Sequence, residues 1–120
     1  MMGTLSAALT GLVAFLHLFF MVLEMFLWTK PYGLKTFGNT AEKARETAAL
    51  AMNQGLYNGF IAAGLVWSLV APPGLVLPVR TFFLVCVIIA GVFGAVTAKR
   101  SILLFQALPG AAALVVTVLA

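Results

Sequence analysis

The sequence predicts an all-α integral membrane protein, an antiparallel up-down-up-down four-helix bundle. Three observations predict it. Of 120 residues, 63% are hydrophobic and 8% charged, whereas a soluble domain needs about a quarter of its residues charged to cover its surface. Four apolar stretches, each near the ~20 residues that cross a hydrocarbon core, run about Thr4 to Trp28, Ala48 to Ala71, Val79 to Ala98 and Ser101 to Leu119. None alternates strictly between polar and apolar residues, which argues for helices over barrel strands. The whole chain, residues 1–120, then reads as a single transmembrane domain.

The first stretch lacks a basic leader region and contains His17 and Glu24, so it reads as a retained first span and not a secretory signal. It should stop at Lys30-Pro31, because the residue before a proline is pushed out of the helical region, with Tyr32-Gly33 as a turn. Asn39 followed by Glu42 has the form of a capping box, so the second helix should start in water and run inward from Ala41. Ala71-Pro72-Pro73-Gly74 reads as a short outer turn. Lys99-Arg100 leaves barely two residues between spans three and four, which must form a tight hairpin.

Charge sets the orientation. Lys30, Lys35, Lys43 and Arg45 fall in the loop 29–47, and Lys99 with Arg100 in the third loop, while Arg80 alone is near the other side. The positive-inside rule then places both loops in the cytoplasm and both termini outside, in the cell's inner (plasma) membrane. Trp28 and Trp67 fall near opposite interfaces, where indoles anchor well.

The same composition excludes several functions. A net charge of +4 built from scattered cations is no nucleic-acid footprint. One Cys and one His allow neither a disulfide framework nor a metal site within one chain, and the sequence names no cofactor. Phosphate-binding loops are absent, and Ser6, Ser68 and Ser101 lie off the His17 line or at span ends, so no Ser-His-acid set is evident. Cys86, in mid-span, reads as an inert buried thiol.

Polar residues pick out faces. Gly3, Thr10, His17 and Glu24 recur every seven residues on span one, opposite the bulky stripe Phe15, Phe19, Val22 and Phe26. On span two Asn53, Gln54, Tyr57 and Asn58 occupy one sector. Another carries the small ridge Ala51, Gly55, Gly59 and Ala63, whose Gly55, Gly59 and Ala63 offer a homodimer surface. On span four Gln106 shares a face with Gly110, Ala113 and Thr117, and Pro109 should free the Phe105 carbonyl and bend the helix. At ~1.5 Å per residue, Glu24, Gln54 and Gln106 each lie about 9 Å inside the cytoplasmic interface, with His17 near the midplane. Thr97 would complete that polar ring.

Glu24 is the only acid inside a span, and a charged carboxyl at the bilayer centre costs roughly 2.5–3.5 kcal/mol on insertion scales. Function outweighs the alternative of a neutral Glu bonded to neighbouring amides, because ionisable groups within membranes mark sites. His17, ~10 Å from Glu24 along the axis, forms no direct dyad with it and is either a second station on a path or a core histidine. Any one amide is better explained as glue between helices, contributing ~0.6–2 kcal/mol; four with Tyr57 and an acid look more like a lined pocket.

The runs His17-Leu18-Phe19-Phe20, Glu24-Met25-Phe26-Leu27-Trp28 and Asn53-Gln54-Gly55-Leu56-Tyr57-Asn58-Gly59-Phe60, with Ala62 to Leu65, Ala90-Gly91, Gln106 and Pro109, resemble the small four-span membrane proteins of bacteria and fungi filed as domain-of-unknown-function family one-three-zero-four. The resemblance covers almost the whole chain, and the Asn-Gln-Gly-Leu-Tyr-Asn-Gly run is its most specific part. It implies the four-span fold and a shared polar set of His17, Glu24, Asn53, Gln54, Tyr57, Asn58 and Gln106, and it supplies no reaction. In size and a first-span Glu the chain is also similar to small multidrug exporters, whose surrounding motif is missing here.

The leading expectation is a non-enzymatic membrane protein that binds, and in a dimer transports, a small amphipathic or cationic molecule. Glu24 supplies charge or proton coupling, Asn53, Gln54, Asn58 and Gln106 polar recognition, and Tyr57 with Trp28 an aromatic wall, with His17 a further ligand-site candidate. The alternatives are an enzyme acting on a quinone, sterol or lipid with Glu24 or His17 as acid or base, and a structural or accessory subunit.

Overall fold

A computed structural model of the chain describes residues 1–99 and 101–120; Arg100, half of the expected third loop, lies outside the described residues. Five α-helices and one π-helical segment follow in order: α1 (Met2–Met25), α2 (Pro31–Phe37), α3 (Ala41–Val70), α4 (Pro73–Thr97), the π segment (Leu103–Ala107) and α5 (Leu108–Leu119). No strand occurs among the described residues.

Two of these helices, α1 and α4, are long and apolar enough to cross a membrane. The sequence led us to expect four such spans. Helix α3 is the longest, at 30 residues, but it begins with Glu42, Lys43, Arg45 and Glu46 and then carries Asn53, Gln54, Tyr57 and Asn58, which lower its hydropathy. Leu103–Leu119 is apolar but shorter.

Local chemistry explains the boundaries, several of which differ from expectation. Helix α1 stops at Met25, before Trp28, and its last carbonyl bonds run from Phe26 and Leu27 to Val22 at 3.0 and 3.2 Å. Lys30 is extended, as a residue before proline must be. Pro31 then opens α2 where a turn was expected, since its fixed φ suits a first helical position. Gly38, at φ 68, closes α2 in the left-handed region, and the Gly38 and Asn39 amides both point to the Leu34 carbonyl. Asn39 is thereby used to end α2. The N-cap of α3 is instead Thr40, whose Oγ1 accepts from the Lys43 amide at 3.1 Å. Pro72 and Pro73 start α4 directly, well before Val79.

The chain forms two compact units. In unit 1 (residues 1–16 and 61–120), Val13, Ala14, Leu65, Leu84, Val87 and Ala113 form the core, with Leu9, Ile61, Phe83 and Leu114 against it. Helix α4 and the segment from Ile102 to Leu119 make the expected antiparallel hairpin: Gly94 meets Ile102, Gly91 meets Ala107 and Gly110 meets Val87. A Cβ on Gly91 would lie 2.6 Å from the Ala107 amide nitrogen, so glycine there permits the backbones to touch. Pro109 cannot donate to a helical ladder, and the preceding turn widens to the π segment, where the Leu108 amide bonds to Leu103 O.

Unit 2 (residues 17–60) holds the rest of α1, all of α2 and the first part of α3. Here Met21 and Met25 pack on Gly55, and Met21 on Gly59. The Trp28 ring lies 4.8 Å from that of Phe37, and its Nε1 donates to Thr47 Oγ1 at 3.1 Å.

Candidate functional site

Helix periodicity separates two faces of α1 as expected: Thr10, His17 and Glu24 are buried, while Phe15, Phe19, Val22 and Phe26 are exposed. Gly3, the first member of the polar line, is exposed. In unit 2 the absence of a side chain at Gly55 brings α3 against α1 so closely that a Cβ there would sit 3.1 Å from Glu24 Cβ. One turn on, Asn58 Nδ2 donates to Glu24 Oε1 at 2.5 Å. The only acid of α1, 6% exposed, is therefore held by an amide of α3.

The rest of the polar set is distributed differently. Gln54 lies one turn before Asn58 on the same face of α3 and is exposed, as are Asn53 and Tyr57. The Tyr57 ring meets Phe60 edge-on at 5.9 Å, while Trp28 is engaged by Phe37 and Thr47. His17 is fully buried, with its ring 6.0 Å from Phe20 and at 73° to it. Gln106 is half-buried in the π segment and belongs to unit 1. Thr97, also in unit 1, is exposed and donates to the Phe93 carbonyl of its own helix at 2.7 Å. The small ridge expected to receive a second copy receives α1 of the same chain at Gly55 and Gly59, and Ala63 is exposed.

Sequence reasoning missed a second polar centre, in unit 1. Arg80, assigned to the outer edge as a mark of topology, is buried, and its Nε and Nη2 donate to Ser68 Oγ and Ser68 O at 3.1 and 3.0 Å. Its Nη1 donates to Ser6 Oγ at 3.0 Å, and Ser6 Oγ lies 2.6 Å from Thr117 Oγ1. Thr117 spends its own proton on Ala113 O and Ser68 on Leu65 O, both at 2.7 Å, so Ser6 is the donor to Thr117. Ser6 and Ser68 turn lone pairs toward the guanidinium, and none of the three side chains carries a charge. The signal was present in the sequence: Ser6, Ser68 and Thr117 each stand near the end of a helix, at the ends that an up-down order brings together.

Geometrically, then, unit 2 offers a buried carboxyl with one oxygen fixed by Asn58. Unit 1 offers a buried guanidinium fixed by neutral acceptors. Among known proteins, the uncharacterized protein YpaA of Lactococcus lactis subsp. lactis (strain IL1403) is 29% identical over 107 residues, covering 88% of this chain and 89% of that protein. No solved structure matches. The family model described as protein of unknown function (DUF1304) matches residues 11–118. That match takes in α1 from Gly11, both polar centres except Ser6, and nearly all of α5; the chain belongs to the DUF1304 family.

Proposed function

We propose that the chain is an integral membrane protein of four spans that binds a small amphipathic or cationic molecule at Glu24. In this reading α3 and the segment Leu103–Leu119 cross beside α1 and α4, both termini are outside, and the basic loop that contains α2 is cytoplasmic. The observation that carries the reading is the Glu24–Asn58 pair: a carboxyl removed from solvent on an apolar helix and anchored through Oε1 by a neutral amide, with Oε2 taking the ligand in this reading. Gln54 and Tyr57, exposed on α3, supply an amide and an aromatic face where a ligand would arrive from the side, and a cation gains most from a carboxylate that water screens least.

Equilibrium binding of tetraphenylphosphonium to the purified protein in detergent tests this. Wild type should bind, and Glu24→Gln, which keeps the shape and an acceptor for Asn58, should weaken binding about tenfold or more, the loss of one charge-assisted contact. Equal binding by the two proteins removes Glu24 from the function. A structural or accessory role is favoured by the fact that the partner of Glu24 lies within the chain; in that case wild type binds nothing and Asn58→Leu lowers only the melting temperature.

A further inference from the structure

The second centre has a charge imbalance that the fold does not answer. Residues 1–16 and 61–120 contain no Asp or Glu at all, yet they bury Arg80 to 6% exposure. A guanidinium has five N–H groups. One edge, Nε and Nη2, is filled by Ser68 through Oγ and O. Among the described residues the other edge makes one bond, from Nη1 to Ser6 Oγ, which leaves one N–H on each Nη. The Ser68 carbonyl is among the last of α3 and would lack a helical partner, so that bond has a capping role. Capping accounts for one edge of the fork and for no counter-charge.

We infer that the Nη1–Nη2 edge of Arg80 binds an oxyanion of the phosphate class. Arginine presents a planar fork that matches phosphate oxygens, and such charge-assisted pairs are roughly twice as strong as neutral ones. Position agrees with chemistry. Ser6 is near the start of α1, Ser68 and Thr117 are near the ends of α3 and α5, and Arg80 is about two turns into α4. The guanidinium thus reaches toward the end of its unit, where a long side chain on an apolar helix meets lipid headgroups. The phosphate of a phospholipid and a soluble phosphate share this chemistry. The inference shares only the bilayer setting with the proposed function; its readout depends on phosphate and not on cation binding, so either fails without the other.

The test is the melting temperature of the delipidated protein in detergent, with dioleoylphosphatidylglycerol, with dioleoylglycerol and with inorganic phosphate. The phospholipid should raise the midpoint and dioleoylglycerol, which has the same chains and no phosphate, should not; a rise with inorganic phosphate alone assigns the site to a soluble oxyanion. Arg80→Lys, which keeps the charge and loses the fork, should weaken the apparent affinity about tenfold, and Arg80→Gln should abolish the shift. Thr10→Val, buried in the same unit and bonded to none of these groups, should keep it. No phosphate-dependent shift in wild type overturns the inference whether or not Arg80→Gln folds, and so does an unchanged affinity in Arg80→Lys.

Discussion

Ser6 and Thr10 stand one turn apart on the same side of α1, both small hydroxyls and both fully or almost fully buried, and removing them should change stability in opposite directions. Ser6 Oγ accepts from the Arg80 guanidinium at 3.0 Å and donates to Thr117 Oγ1 at 2.6 Å. Ser6→Ala deletes a hydrogen bond to a charged group, which contributes about 1.5–3 kcal/mol, and leaves a cationic donor short of an acceptor. Thr10 Oγ1 has no partner among the described residues. An unpaired buried hydroxyl costs about 1–3 kcal/mol, and Thr10→Val replaces it with a methyl group of nearly the same shape, so this variant should gain roughly 1 kcal/mol after imperfect repacking. Reversible unfolding in mixed micelles, followed by far-ultraviolet circular dichroism, reads both variants against wild type. The two midpoints should fall on opposite sides of the wild-type value. If Thr10→Val is destabilised, the hydroxyl has a partner that the structure lacks; if Ser6→Ala is neutral, the Arg80 cluster does not hold the unit together. Either result refutes the reasoning.

Two further outcomes follow from local geometry. Thr40→Ala should cost about 0.5–2 kcal/mol by removing the cap on the Lys43 amide, whereas Asn39→Ala, which leaves the backbone bond to Leu34 in place, should cost less; the same unfolding assay ranks them. Gly91→Val should cost about 1–3 kcal/mol, because its Cβ meets the Ala107 amide nitrogen and not a side chain that can turn away. A neutral Gly91→Val would mean that the backbones of α4 and the π segment are not in contact.

What the sequence disclosed depends on the range over which each feature is decided. Apolar runs decide that helices exist, and seven-residue spacing correctly placed Thr10, His17 and Glu24 on the buried face of α1. Boundaries depend on nearby competitors: Trp28 could extend α1 or leave it, and it leaves because Phe37 and Thr47 receive its ring and its Nε1. Asn39 and Thr40 are both good caps, and only the left-handed turn at Gly38 settles which one faces the amides of α3. Periodicity also groups Asn53, Gln54, Tyr57 and Asn58 without saying which of them meets another helix. That is decided by Gly55, which lets α1 approach on the Asn58 side and leaves the other three exposed.

Arg80 is the most informative omission, because the rule that put it near the outer edge says nothing of its burial. A lysine or arginine near the end of an apolar run normally marks the water side, and a span-centred acid normally marks a site. A cation there is buried only if other helices bring acceptors, and Ser6 and Ser68, with Thr117 behind Ser6, are each unremarkable at a helix end. The fold joins residues 111 positions apart into one hydroxyl pair and places a cation on it. With Glu24 tied to Asn58 in one unit and Arg80 to Ser6 and Ser68 in the other, each unit contains one buried charge fixed by neutral partners. Neutral partners orient a charge without cancelling it. Of the chain's ten charged residues, these are the two buried among the described residues, and ligands of opposite sign are the chemistry that each leaves open.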